Sequence, residues 1–346
     1  MKSIFYKFIL SLFIFNIKGV LAIAVTWQFE KNINIGPFTV AAISEDGNKL
    51  ATYLKNDDFV KIWDISKQKL MQKIKVKDKE SAEVISLDIN SKNDLLAIGF
   101  VSFPECPYKV IRLTTGKEIY LQDIEYTTTT LSVKISRDGE FFVAQTEETM
   151  RVWDLSNGKI ISKLKFDTEF YPTFSISSDG SKLAYWIYED KIINILDVKT
   201  GSIIAEFPCY GSVVGPSLLF NSDGTQLCIV GREKFLYDIK AKKVNRIFDE
   251  IQRDQDFFTL VLKTIASLGP YEAALSFDDK YLVTANSSEI IIWSTETGEP
   301  VQRIFFDFSF KKDIKKNILK GIAFTKDKRI IAVWNNGEIK IWSFKE

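Results

Sequence analysis

The side chains able to do chemistry in this sequence are few. Three acidic pairs stand out: Asp57-Asp58, Glu147-Glu148 and Glu189-Asp190. Brought together, such carboxylates could hold a hard cation such as Ca²⁺ through oxygen ligands. Spread apart, they are solvated turn acids. Three cysteines, Cys106, Cys209 and Cys228, allow at most one disulfide. Cys228 lies in the apolar run Gln226-Leu227-Cys228-Ile229-Val230 and reads as a buried core thiol. Histidine is absent. That removes Ser-His-Asp and Cys-His nucleophile pairs and every His-ligated metal site. No catalytic residue, metal ligand or cofactor is assigned from these residues.

The elements that carry the acids are short alternating runs. The stretch from Leu131 to Phe166 contains four of them, cut by turns at Arg137-Asp138-Gly139, Glu147-Glu148 and Asn157-Gly158. Asx-Gly pairs supply the positive φ of tight hairpin turns. Apolar and polar residues alternate with period two, as in a half-buried strand. Four strands joined by three tight turns form a meander, one blade of a β-propeller.

The same unit recurs along the chain. An apolar marker near the end of each third run falls at Trp63, Ile111, Trp153, Leu196, Tyr237, Trp293 and Trp342, mostly 41 to 49 residues apart. That is the period of a four-stranded propeller blade. An upstream marker keeps phase with it, as in Ser44-Glu45-Asp46-Gly47, Ser136-Arg137-Asp138-Gly139, Ser178-Asp179-Gly180 and Ser222-Asp223-Gly224. The fold class that follows is all-β: seven four-stranded antiparallel blades.

The pairs Trp63-Asp64 and Trp153-Asp154, with the Ser-x-Asp-Gly turns, resemble the WD-repeat family over roughly everything after residue 25. Trp293 and Trp342 repeat the marker without its Asp. The family's early Gly-His element is missing, so its His-Asp-Ser/Thr-Trp network cannot be complete in any blade. The resemblance implies a non-catalytic protein-binding scaffold. It also implies that partners meet the face carrying the second-to-third-strand turns and the connections between blades.

Residues 1–24 read as an export signal. Lys2 and Lys7 precede the apolar run Phe8 to Phe15, and Ala22-Ile23-Ala24 has the small-x-small pattern of a cleavage site. The expected mature chain, residues 25–346, is a single propeller, periplasmic, secreted or lumenal. Its seventh blade is closed by residues 24–30, which alternate like the outer strands. Two units carry inserts. Residues 249–271 have near-helical apolar spacing, with Gly269-Pro270 as a stop, and predict a helix over 250–268. Residues 305–320 are Phe-rich and then Lys-rich.

Counting loops onto the expected partner face selects Tyr126, Phe170, Tyr171, Trp186, Tyr188, Tyr210, Arg232 and Glu233. Tyr, Trp and Arg are enriched at interface hot spots. The 46 basic and 45 acidic side chains leave no charge excess to draw nucleic acid or a membrane surface. The second functional class is a propeller enzyme, or a Ca²⁺ or small-molecule binder, working at the channel.

Overall fold

Alternating runs separated by turn residues become strands throughout. The computed structural model describes residues 26–76, 83–90, 92, 94–101, 107–124, 130–165, 173–187, 189–209, 215–231, 233–248, 272–286, 289–306 and 318–345. These hold twenty-eight strands in seven four-stranded antiparallel sheets, a seven-bladed β-propeller. There is no helix among the described residues. The expected signal at 1–24 and helix at 250–268 lie outside them.

Chain order gives the blades. Blade one is β2 (Val40–Ile43), β3 (Lys49–Tyr53), β4 (Phe59–Asp64) and β5 (Lys69–Lys75). Blade two is β6 (Glu83–Asn90), β7 (Leu95–Val101), β8 (Tyr108–Arg112) and β9 (Lys117–Glu118). Blade three is β10 (Thr130–Ile135), β11 (Phe141–Thr146), β12 (Thr149–Asp154) and β13 (Lys159–Lys165). Blade four is β14 (Thr173–Ile176), β15 (Lys182–Ile187), β16 (Ile192–Asp197) and β17 (Ile203–Pro208). Blade five is β18 (Ser217–Phe220), β19 (Gln226–Val230), β20 (Lys234–Asp238) and β21 (Lys243–Ile247). Blade six is β22 (Glu272–Leu275), β23 (Tyr281–Ala285), β24 (Glu289–Ser294) and β25 (Pro300–Phe305). Blade seven takes β26 (Leu319–Phe324), β27 (Ile330–Trp334) and β28 (Glu338–Lys345), and its outer strand is β1 (Thr26–Asn34).

Closure follows the expected strand but runs further. β1 pairs with β28 from Thr26↔Lys345 to Asn34↔Glu338, with an irregularity between Phe29 and Lys31. Trp27 is buried and meets Tyr281, Phe324 and Phe344 edge-on, at ring distances of 5.1, 6.1 and 5.0 Å. Its indole nitrogen donates to the Lys328 carbonyl at 2.8 Å. The first strand is therefore tied down by packing as well as by its ladder.

Seven hydrophobic clusters hold the ring, one between each pair of neighbouring blades. The middle strands are consequently covered on both faces. β11 and β12 bury Gln145, Thr146, Thr149 and Arg151 along with their apolar residues. The half-buried reading of alternation fails for them and holds for outer strands such as β5, where exposed and more buried residues alternate. An outer strand has a neighbour on one edge only and its outward side chains meet water.

Candidate functional site

Each blade presents two kinds of turn. The turns from first to second strand and from third to fourth strand share one face. The second-to-third turns and the connections between blades share the other.

On the first face a polar side chain closes the inner turn from within in six of the blades. Ser44 Oγ accepts from Lys49 N at 2.9 Å and donates to Asp46 Oδ1 at 2.6 Å. Ser136, Ser177 and Ser276 repeat the first bond to Phe141, Lys182 and Tyr281 at 2.9, 2.9 and 3.0 Å. Thr325 does so for Arg329, and Asn221 for Gln226, both at 2.8 Å. These side chains are buried, so their bonds satisfy main-chain donors that water does not reach. In blade four the bonding residue is Ser177, one before the marker read from the sequence. In blade five it is Asn221, not Ser222.

The third-strand markers are structural. Trp63 and Trp293 donate their indole N–H to Thr52 and Thr284 on the adjacent strand, each at 2.9 Å. Trp153 donates to the Gln122 carbonyl at 2.8 Å. Trp342 is buried in the cluster between blades six and seven. The following acids cap the third-to-fourth turns. Asp64 accepts from Lys67 N at 2.8 Å, and Asp154 accepts from Ser156 N at 2.8 Å. Hydrogen bonds from Ser156 hold the Asp154 carboxyl below its ordinary range, and those from Thr200 do the same for Asp197. A register shift falls at the marker in five blades, between Ile62/Trp63, Val152/Trp153, Ile195/Leu196, Leu236/Tyr237 and Ile292/Trp293. The repeat signature is thus a bulge with a capped turn.

The partner-face residues fare differently. Tyr126, Phe170, Tyr171, Tyr188, Tyr210 and Arg232 lie outside the described residues. Glu233 is exposed in the turn between β19 and β20. Trp186 is not a surface residue. It is 2% exposed in the cluster between blades four and five, and it donates to the Cys209 carbonyl at 3.4 Å. The run Tyr185-Trp186-Ile187 belongs to β15, covered by blades on both sides.

The acidic pairs do not converge. Glu147, Glu148, Glu189 and Asp190 are exposed in separate blades. Asp57 accepts from Lys61 Nζ at 2.7 Å and from Phe59 N at 3.3 Å. Among the described residues no group of three or more Cys, Asp or Glu could hold a metal ion. Cys209 and Cys228 are free and buried. Burial pushes the Cys209 thiol up to about 11, and raises Cys228 further. Cys228 is the core thiol expected. Cys106 lies outside the described residues.

The centre of the ring holds a group that the repeats alone do not reveal. The Arg137 guanidinium lies 3.9 Å from the Phe277 ring centroid. These residues sit in inner turns of blades three and six, which are not neighbours, so the contact spans the channel mouth. Burial draws the Arg137 pKa below its ordinary value, opposed by the charges of Glu45 and Asp279. Asp279 in turn accepts from Ser222 N of blade five at 3.0 Å. Deeper in, Glu272 of β22 feels the charges of Lys134 on β10 and Lys320 on β26. Burial raises the pKa of its carboxyl. The sequence signal for the mouth is the residue after each Ser, Thr or Asn: Glu45, Arg137, Ser178, Ser222, Phe277 and Lys326.

No protein-family model matches the chain, and no curated protein matches it either, so the family resemblance rests on the repeat residues alone.

Proposed function

We propose that this chain is an exported, non-catalytic propeller of the WD-repeat type that holds a protein partner on its loop face. The observation that carries this reading is the contrast between the two faces. On one, the inner turns of six blades are short and closed by the same buried Ser, Thr or Asn bond. On the other, the connections between strands vary from 147–148 to 248–271. A scaffold with fixed turns on one side and variable loops on the other is built to diversify the second side. The charged start, apolar run and Ala22-Ile23-Ala24 of the first 24 residues support export. Trp63-Asp64 and Trp153-Asp154 support the WD-repeat assignment.

The test is affinity capture of the mature protein in its native compartment, with mass spectrometry of what it holds. Alanine at Tyr126, Tyr171 and Arg232 together is expected to abolish capture of the main partner while the thermal midpoint stays unchanged. Undiminished capture rejects this face. N-terminal sequencing of the exported protein is expected to begin at Val25.

A further inference from the structure

The two inner turns that meet across the channel mouth are each tied to other blades. Asn90 of blade two donates its side-chain amide to the Ser136 and Arg137 carbonyls at 3.1 and 3.0 Å. Asp138 N donates to the Ser178 carbonyl of blade four at 3.0 Å. In blade six the Asp279 carboxylate, two residues beyond Phe277, accepts from Ser222 N of blade five at 3.1 and 3.0 Å. Both turns are therefore fixed independently of the side chains that join them. The Arg137 guanidinium seats on the Phe277 ring at 3.9 Å from its centroid, and both residues are half-buried. The other cation–ring contacts among the described residues stay within a blade or join neighbours, at 4.7 to 5.9 Å. Blades three and six are not neighbours, so this contact passes across the mouth, on the face of the inner turns.

An aromatic face on a fixed turn, with a carboxylate two residues away, has the chemistry of a guanidinium receptor. The ring quadrupole attracts a cation, and a planar, weakly hydrated guanidinium stacks on it better than a compact ammonium. Blade three fills that receptor from within the chain. A link needed for stability alone could be an apolar side chain, which would avoid drawing a charge away from water. We propose that Phe277 is the platform of a guanidinium-binding site on the inner-turn face. Arg137 is its resident occupant, an autoinhibitory contact that keeps other guanidinium groups out. A guanidinium from outside, on a small molecule or on the arginine of a peptide, takes the same place when Arg137 leaves it. The site lies on the face opposite the partner loops and does not depend on the function proposed above.

Isothermal titration of the full mature chain carrying R137A tests it with three probes: ethylguanidinium, acetyl-arginine amide and ethylammonium. Saturable binding at roughly millimolar concentration is expected for at least one guanidinium, and binding about tenfold weaker or less for ethylammonium. Ethylguanidinium alone marks a small cation as the ligand, and acetyl-arginine amide marks the arginine of a peptide. Wild type is expected to bind neither guanidinium at the same concentrations, because its tethered Arg137 holds the site at high effective concentration. R137A/F277L is expected to lose the binding, since leucine keeps bulk but has no ring face. If R137A does not fold by circular dichroism, R137Q and R137Q/F277L take the place of these variants, with the same results expected. The proposal is overturned if neither guanidinium saturates the Arg137 variant by about 50 mM. Wild type binding as tightly as that variant, unchanged affinity after F277L, or ethylammonium binding as tightly as the guanidinium overturns it as well.

Discussion

Gln302 and Trp27 hold each other's main chain. The Gln302 side-chain amide donates to the Trp27 carbonyl at 2.8 Å, and its oxygen accepts from Trp27 N at 2.6 Å. The two residues lie on the outer strands of blades six and seven. This reciprocal pair fixes the first strand against the preceding blade, where the β1 ladder alone would fix it only to β28.

Replacing Gln302 by Ala therefore removes two part-buried hydrogen bonds. The expected cost is about 1–3 kcal/mol, at roughly 0.5–1.5 kcal/mol per bond. Trp27→Ala is expected to cost more, about 3–5 kcal/mol, because it also empties a packed aromatic site. Urea unfolding followed by tryptophan fluorescence for Q302A, and by circular dichroism for W27A, measures both. Equal, negligible effects would mean that the latch does not limit stability.

The inner turns make a sharper test, because two serines stand side by side in blade four. Ser177→Ala is expected to destabilise by about 1–2 kcal/mol, since it strands the Lys182 N–H away from water. Ser178→Ala is expected to stay within about 0.5 kcal/mol. The comparison is of denaturation midpoints in one buffer. A reversed order of the two variants would contradict the turn assignment.

Gly158 carries a φ of +69°, and a Cβ there would stand 2.1 Å from the Tyr120 carbonyl oxygen. Gly158→Ala combines a left-handed backbone with a clash against main chain. A loss of more than about 1 kcal/mol is expected. Gly116→Ala shares the positive φ, 66°, but meets no atom within 4 Å, and is expected to cost less. Thermal midpoints of the two variants separate strain from crowding.

Acid is expected to unfold the protein through its turns. The side-chain bond from Thr225 holds Asp223 below its ordinary value, as Ser156 does for Asp154. Burial alone would raise Asp179, but bonds from Ser177 and Ser181 outweigh it and leave it lowered. A depressed folded-state pKa contributes stability that is present above the unfolded value, about 3.9, and is lost as pH falls through the folded one. Midpoints measured across pH should be level above about pH 5 and fall steeply below about pH 4. Stability that rises on acidification would refute the role of these carboxylates.

The two described cysteines should resist alkylation in the native state. Cys209 and Cys228 are both buried, and burial raises both thiols. The thiolate is the reacting form, so iodoacetamide at pH 8 should label neither until urea opens the ring. Mass spectrometry of peptides containing each residue reads the outcome.

Much of the architecture was legible because hydrogen bonding demands particular residue types at fixed offsets. A Ser, Thr or Asn five residues before the second strand, with Asp two later, has no close substitute. Glycine was a weaker guide: Asp94, Asp279 and Lys328 take the positive φ in inner turns where Gly47 or Gly139 takes it elsewhere. Gln68 and Lys242 do the same in outer turns. Burial was the larger source of error. Trp186 sits beside a turn and reads as a rim aromatic, yet β15 is sandwiched between blades. The contact at the channel mouth was illegible for a different reason. Arg137 and Phe277 belong to non-adjacent repeats, and only ring closure brings them within reach of one another.

The pairing of Thr26 with Lys345 sets an order of events on the ribosome. The strand made first among those described is the one whose partner emerges last. Until β28 has been synthesised, β1 has no edge to dock on and blade seven has only its inner strands. A nascent chain of this kind stays incomplete for nearly the whole of its translation.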